Sequence, residues 1–244
     1  MHICVTGVSR GLGEALTRVL TRQGHQVWGV SRDEQKLKRL AQELPSSLFL
    51  WSRVDVGVAA SIAAWGAAMQ TQGFVPDAVV LNASVQIDDL GELYDGNVAE
   101  EVLRVNLIGA LRCVELFVPL FQARRRGRIV AIASTSALRP SARSAAYAAS
   151  KAGLAMAMRS LRLRYSAPDF LFKTVYLGPI ATEMWGGKQA HWLVGSPSRA
   201  AQAIADFVFS GTSTLYYPFL STLLLRSTSF LPDRVFSAAT AALR

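Results

Sequence analysis

The chain predicts an α/β fold: a doubly wound parallel sheet in a single domain, with helices on both faces. Three observations predict it. Short apolar runs recur, among them Ile3-Cys-Val5, Ala78-Val-Val-Leu81 and Ile129-Val-Ala-Ile-Ala133, as strands buried on both faces do. Between them lie segments whose apolar residues repeat at helical spacing, and the alternation runs from residue 3 to about residue 210. The first run also breaks into glycines that lead straight into a helical pattern.

Composition narrows the possibilities. The chain has 244 residues, 51% of them hydrophobic, which is ample for one core. The formal charge is +9, but the basic residues are scattered and only Arg124-Arg125-Arg126 forms a run. No basic tract is interleaved with aromatics, so nucleic acid is not an expected partner. A polyanionic cofactor or an acidic membrane surface stays compatible. Cys4 and Cys113 lie in apolar segments and read as buried, reduced thiols. With three histidines and no metal-ligand spacing, no metal is expected. No signal-peptide pattern opens the chain and no apolar run approaches the roughly 20 residues of a spanning helix, so a cytoplasmic location is expected.

Ile3 to Val5 is the first strand. It enters Thr6-Gly7-Val-Ser9-Arg10-Gly11-Leu12-Gly13, and Ala15, Leu16, Val19 and Leu20 then mark a helix that stops near Gly24. Glycines there let backbone N–H groups approach a pyrophosphate at the positive end of the helix, the Rossmann-type arrangement. An ordinary tight turn is the plain alternative. The second strand, His25 to Arg32, ends where such a fold meets the adenosine ribose. Ser31, Arg32 and Arg10 would suit a 2′-phosphate, which favours NADP(H), with NAD(H) the weaker alternative. Asp33 reads as the cap of a helix over 34–44.

A third strand over 47–56 carries Asp55 and Val56 at its end. Asp55 would accept from an adenine amino group, or cap the helix over 59–70. A fourth strand, Asp77 to Ala83, ends in Asn82-Ala83-Ser84, where a small residue lets backbone lie against a cofactor. Residues 98–122 form a long helical pattern with Asn106 inside it. Asparagine is a poor residue there and must satisfy its amide: it either bends the helix locally or holds a water. The fifth strand, 127–133, leads to Ser134. A helix over 145–165 then carries Tyr147 and Lys151 at i, i+4, hence on one face. A hydroxyl, a phenol and an ammonium are thus available together. A sixth strand over 172–177 ends in Gly178-Pro179-Ile180-Ala-Thr182. Residues 183–197 suit a lid, and 198–209 form a helix with Ser198 as cap. The apolar stretch 215–231 is expected to bury against the body or a second subunit in preference to lying on a membrane.

Taken together, residues 1 to about 210 resemble the short-chain dehydrogenase/reductase superfamily, in its compact single-domain branch. Thr6-Gly7-x-x-x-Gly11-x-Gly13 matches its cofactor turn, Asp55-Val56 its adenine contact, and Asn82-Ala83-Ser84 its Asn-Asn-Ala-Gly pattern, with Leu81 and Ser84 as departures. Asn106 matches its helix asparagine, and Ser134 precedes the Tyr147-x-x-x-Lys151 pair by the usual 13 residues. Gly178-Pro179 with Thr182 matches its Pro-Gly loop in inverted order. The resemblance implies a catalytic set of Asn106, Ser134, Tyr147 and Lys151. Tyr147 would be the general acid or base; Lys151 and the positively charged nicotinamide of the oxidised cofactor would lower its pKa, and Lys151 would also hold the nicotinamide ribose. Ser134 would stabilise the substrate oxygen, and Asn106 would anchor a water leading from Lys151 to solvent. Ile180 and Thr182 would fix the carboxamide. It also implies a homodimer or homotetramer.

The expected architecture is therefore a dinucleotide-binding and catalytic domain over 1–211, with an apolar C-terminal extension over 212–244. The expected activity is NADP(H)-dependent interconversion of a carbonyl and a secondary alcohol on a hydrophobic small molecule. A catalytically silent cofactor-binding sensor or scaffold is the alternative. A longer two-domain sugar-nucleotide epimerase lacks the room it would need here.

Overall fold

A computed structural model of the protein describes residues 1–91, 93–140, 144–165, 167–182 and 194–236. Seven parallel strands form one sheet: β1 (His2–Thr6), β2 (Gln26–Ser31), β3 (Phe49–Arg53), β4 (Ala78–Leu81), β5 (Arg126–Ser134), β6 (Asp169–Leu177) and β7 (Thr214–Tyr217). Their order is β3-β2-β1-β4-β5-β6-β7. The direction of winding reverses between β1 and β4, so their C-terminal ends diverge and leave a crevice there.

The helices are α1 (Gly11–Arg22), α2 (Glu34–Glu43), α3 (Ala59–Thr71), α4 (Gly96–Leu103), α5 (Ala110–Arg124), α6 (Ala145–Arg164), α7 (Pro197–Phe209) and α8 (Phe219–Ser227). Side chains alternate across each strand, and the sheet therefore feeds two cores. Cys4, Val79, Leu81, Ile129 and Ala131 pack with Trp65, Phe117 and Leu154 on one face. Ile3, Val5, Val80, Val130 and Ile132 pack with Leu16, Leu37 and Ile204 on the other. Both cysteines are buried and unpaired. Burial pushes the Cys4 thiol well above its usual pKa and Cys113 up to about 12.

Three local features differ from the sequence expectation. The single helix expected over 98–122 is interrupted: Arg104–Gly109 form a π-helical turn between α4 and α5, as Asn106 required some local accommodation. The cap of α7 is Ser196, whose Oγ accepts from Arg199 N–H at 3.3 Å, and not Ser198. Pro197 at the first helical position explains the earlier start. The seventh strand was not singled out at all. Its four residues, Thr-Leu-Tyr-Tyr, lie half-buried at the sheet edge and show no alternation to read.

Beyond β7, α8 turns Ser221 and Thr222 inward and leaves Phe219, Leu220, Leu223 and Leu224 exposed. Among the described residues, no helix is long and apolar enough to cross a membrane. Of the expected lid, residues 183–193 lie outside the described residues. Gly195 bridges to Ile180 in parallel register, its N–H donating to Pro179 O at 2.9 Å.

Candidate active site

A cleft of about 300 Å³ opens at the C-terminal ends of the strands, across the β1/β4 reversal. At its centre the glycine turn folds against the end of β4. Gly7 has φ +76°, and a Cβ there would meet Ala83 Cα at 2.7 Å; one on Gly13 would meet Gly7 O at 2.0 Å. Only glycine fits either place. Thr6 and Asn82 tie the two strand ends together. Thr6 Oγ1 accepts from the N–H groups of Asn82 (3.0 Å) and Ala83 (2.9 Å), and Asn82 Nδ2 donates to Thr6 O (3.0 Å) and Gly7 O (3.1 Å). Asn82 thus builds the cradle, and Ser9, Arg10, Gly11 and Leu12 complete its rim where the chain enters α1. No side chain caps the first turn of α1.

At one end of the cleft stand Ser31 and Arg32 from β2, and Asp55 with Val56 after β3. The Arg32 side chain is about half exposed (51%) and its Nη1 lies 3.4 Å from Glu101 Oε1. Asp33 caps α2, its Oδ1 accepting from Lys36 N–H at 3.0 Å. Asp55 Oδ1 accepts from Gly57 N–H at 2.8 Å. It does not cap α3, whose cap position is Val58.

At the other end stand Ser134, Tyr147 and Lys151, with Ser84 beside the β4 terminus and Pro179, Ile180 and Thr182 beyond β6. Parallel pairing of β5 with β6 sets Ser134 opposite Leu177, so the serine and the Gly178–Thr182 loop arrive at one level. Ser134 Oγ accepts from Ser136 N–H at 3.1 Å and bonds the Ser136 hydroxyl at 3.2 Å. The Tyr147 side chain lies on the same wall of the cleft. Lys151 is buried; its Nζ donates to Ile132 O at 2.9 Å and sits 5.7 Å from the centre of the Tyr147 ring.

The resemblance implies that Lys151 and the oxidised nicotinamide together lower the Tyr147 pKa; within the chain itself burial is the largest influence. Burial pushes the phenol up, and the neighbouring Ser134 hydroxyl opposes it only in part. Burial also pulls Lys151 down to about 8. The same water-poor wall disfavours both charged forms, and Lys151 spends a donor on Ile132. The protein's own groups therefore keep the phenol protonated near neutrality.

Asn106 is the one proposed site residue that does not line the cleft. It lies behind the wall, 1% exposed. Its Oδ1 accepts from Val85 N–H and its Nδ2 donates to Val85 O, both at 2.8 Å, with a further bond to Ser150 Oγ at 3.3 Å. The amide is thereby satisfied by the chain itself. Arg139, in the stretch between Ser134 and Tyr147, turns away from the cleft. Its guanidinium donates to Thr228 Oγ1, Asp233 Oδ1 and Leu231 O, holding the C-terminal segment to that loop. Among the described residues, no group of three or more His, Cys, Asp or Glu side chains is placed to hold a metal ion.

Ser136, Val85 and Gln86 also line the cleft, and Asp89, in the loop after β4, is buried against the start of α6; they fall in the stretches 84–96 and 135–146 to which sequence reasoning assigns substrate selection, without being singled out there. The Ser-x-Ser spacing was the available signal for Ser136. Asp89 had none, since its partner lies 57 residues away.

Comparison with known proteins agrees with this geometry. An uncharacterized oxidoreductase of Myxococcus xanthus is 26% identical over 98% of this chain and 96% of its own. The NADPH-dependent pterin aldehyde reductase of Arabidopsis thaliana is 33% identical over 61% of this chain and 62% of its own. Among solved structures, a gluconate 5-dehydrogenase from Burkholderia cenocepacia in complex with NADP and tartrate superposes with a TM-score of 0.82. It is 23% identical and covers 91% of this chain and 95% of that one. The family model for short chain dehydrogenase matches residues 1–192. A cleft at the winding reversal, a glycine cradle and a Ser-Tyr-Lys cluster are thus carried by a chain that belongs to the short chain dehydrogenase family.

Proposed function

We propose that the protein is an NADP(H)-dependent oxidoreductase that interconverts a carbonyl and a secondary alcohol on a hydrophobic small molecule. The observation that carries this is a single cleft gathering the glycine cradle, Ser31 with Arg32, and Ser134 with Tyr147 and Lys151. The residues fit a nicotinamide dinucleotide. The cradle is one that a Cβ at Gly7 or Gly13 would fill, and the uncapped first turn of α1 offers N–H donors for a pyrophosphate. Arg32 and Arg10 would hold a 2′-phosphate, Asp55 the adenine amino group, and Ile180 with Thr182 the carboxamide. The names of the pterin aldehyde reductase and of the NADP complex support the same cofactor class.

When bound, the cofactor supplies the hydride for reduction or takes it in oxidation. Ser134 donates to the carbonyl oxygen and stabilises charge gathering on it. Tyr147 passes its proton to that oxygen in reduction and recovers it in oxidation. A phenol kept protonated by burial suits the reductive direction. Lys151 holds the nicotinamide ribose and, when charged, restrains the Tyr147 pKa. The Asn106 side chain is committed to Val85 and steadies that part of the cleft wall. A silent cofactor-binding protein is the second reading, and relatives named inactive hydroxysteroid dehydrogenase-like protein 1, 25% identical to this chain, support it.

The test is a panel of ketones, aldehydes and secondary alcohols assayed with NADPH and with NADH, on the wild type and on Tyr147→Phe. Turnover with NADPH that Tyr147→Phe abolishes while still binding NADPH supports the proposal. NADPH binding without turnover on any carbonyl favours the silent reading, and equal affinity for NADH and NADPH removes the cofactor preference.

A further inference from the structure

The loop after β4 reaches across the molecule to the start of α6, the helix that presents Tyr147 and Lys151. At the contact is Asp89, fully buried. Its Oδ2 accepts from Ala146 N–H at 2.8 Å, while its Oδ1 is buried without a hydrogen-bond partner among the described residues. Ser144 Oγ in turn accepts from Tyr147 N–H at 3.2 Å. Two of the four N–H groups that open a helix without intrahelical partners thus go to this carboxylate and to the Ser144 hydroxyl. Burial alone would push Asp89 up, but donors at the start of α6, the Ala146 N–H first among them, outweigh it and hold the carboxyl below its usual range. It is an ionised group facing the positive end of a helix, a favourable pairing.

A serine cap by itself is enough to start a helix. Here a buried carboxylate 57 residues away in sequence is added, and what it adds is a fixed connection. The loop that carries Asp89 also lines the cleft, through Val85 and Gln86. Its beginning is held by Asn106, which grips both the N–H and the carbonyl of Val85. Its end folds back on itself: Asp95 N–H donates to Asp89 O at 3.1 Å, and Leu90 bridges to Tyr94. Val85, Val102, Ala146 and Tyr147 pack in one small cluster at the same place.

We propose that Asp89 is a positioning residue that sets the depth of Tyr147 in the cleft by fastening the first turn of α6 to the cleft-lining loop after β4. The proposal rests on the reading of Tyr147 as the proton donor. Without Asp89, the helix keeps its cap at Ser144 but loses the tether that holds its first turn, and the phenol is free to shift against Ser134. Lys151 lies one turn further along and is anchored separately on Ile132, so cofactor binding is spared.

The experiment compares Asp89→Ala, Asp89→Asn and Ser144→Ala with the wild type. It measures kcat and KM for the best carbonyl, the NADPH dissociation constant by fluorescence, the thermal midpoint, and amide hydrogen exchange at residues 145–147. A displacement near 1 Å costs about 100-fold in rate. Asp89→Ala should therefore lower kcat on that scale with NADPH affinity kept. Asp89→Asn, which retains an acceptor for Ala146 N–H, should recover at least about a tenth of the wild-type rate. Exchange at 145–147 should speed up in Asp89→Ala and recover in Asp89→Asn. Unchanged kcat in Asp89→Ala, or kcat and NADPH affinity lost together without rescue by asparagine, overturns the proposal. If Asp89→Ala fails to fold, Ser144→Ala decides: unchanged kcat and unchanged exchange at Tyr147 overturn it. A wild type that binds NADPH but turns over nothing sinks the functional reading instead, and exchange at 145–147 then still decides the tether.

Discussion

Replacing Gly13 with alanine would set a methyl carbon 2.0 Å from Gly7 O, 2.5 Å from Asn82 Nδ2 and 2.9 Å from Gly7 C. Two of these atoms are backbone, and neither is free to retreat. Gly7 is held on its far side by its own N–H, which donates to Val30 O at 2.7 Å. Asn82 is held by its bonds to Thr6 O and Gly7 O. Overpacking a rigid site costs about 1–3 kcal/mol. Displacing the Asn82 amide forfeits two hydrogen bonds worth about 0.5–1.5 kcal/mol each. Together they come to about 2–6 kcal/mol. The control is Gly24→Ala. Gly24 has φ +79° with nothing within 4 Å, so its cost is conformational only, about 1–2 kcal/mol. Urea unfolding followed by circular dichroism gives both stabilities, and NADPH titration gives the consequence for the cleft. Gly13→Ala should lose clearly more stability than Gly24→Ala and bind NADPH at least about tenfold more weakly, one hydrogen-bond's worth. Gly24→Ala should bind it as the wild type does. Equal losses in the two variants would refute the argument that the cradle is closed by contact rather than by backbone conformation alone.

Two further outcomes are expected. Arg32→Ala should weaken NADPH by about 10–100-fold, the worth of a charge-assisted hydrogen bond, and leave NADH nearly unchanged; a parallel loss for both cofactors would remove Arg32 from the 2′-phosphate. Lys173 is buried beside Arg128, its Nζ bonded to Ser210, and burial first and then the Arg128 charge pull it down to about 8. An unfolded lysine holds its proton to about pH 10.4, so between pH 8 and that value the unfolded chain binds more protons and stability rises with pH. Lys151, pulled down to about 8 as well, adds to the same slope. Urea midpoints between pH 7.5 and 9.5 should climb less steeply in Lys173→Met than in the wild type, and identical slopes would contradict the depressed pKa.

How far the site could be read in advance follows from the range of its interactions. The glycine cradle is encoded within seven residues, Gly7 to Gly13, and the Tyr147–Lys151 pair within one helical turn. Both are chemistry at local spacing, which a sequence displays directly. The alternation of strands and helices is equally local, because each strand's two faces feed two cores. What stayed hidden pairs distant residues. Asp89 with Ala146, Arg139 with the segment 228–233, and Arg32 with Glu101 are separated by 57 to 94 positions. A carboxylate in a polar loop looks the same whether it meets solvent or a helix end. β7 was hidden for another reason, since four half-buried residues at an edge carry no period.

Asn106 lies between these cases, and it shows what an anomaly in a sequence is worth. A buried amide in an apolar helix announces that something must satisfy it, without saying what. The answer here is Val85, gripped at both its N–H and its carbonyl, and the helix yields through a π-helical turn to make that grip. The same loop is then held by Asp89 at the first turn of α6. One short segment is thus fastened to the two helical stretches that carry Asn106 and Tyr147, and it forms part of the cleft wall between them. A substrate pressing on Val85 or Gln86 would press on both attachments together. Two polar groups, each costly to bury, thus hold this loop near its two ends, Asn106 at Val85 and Asp89 at Ala146.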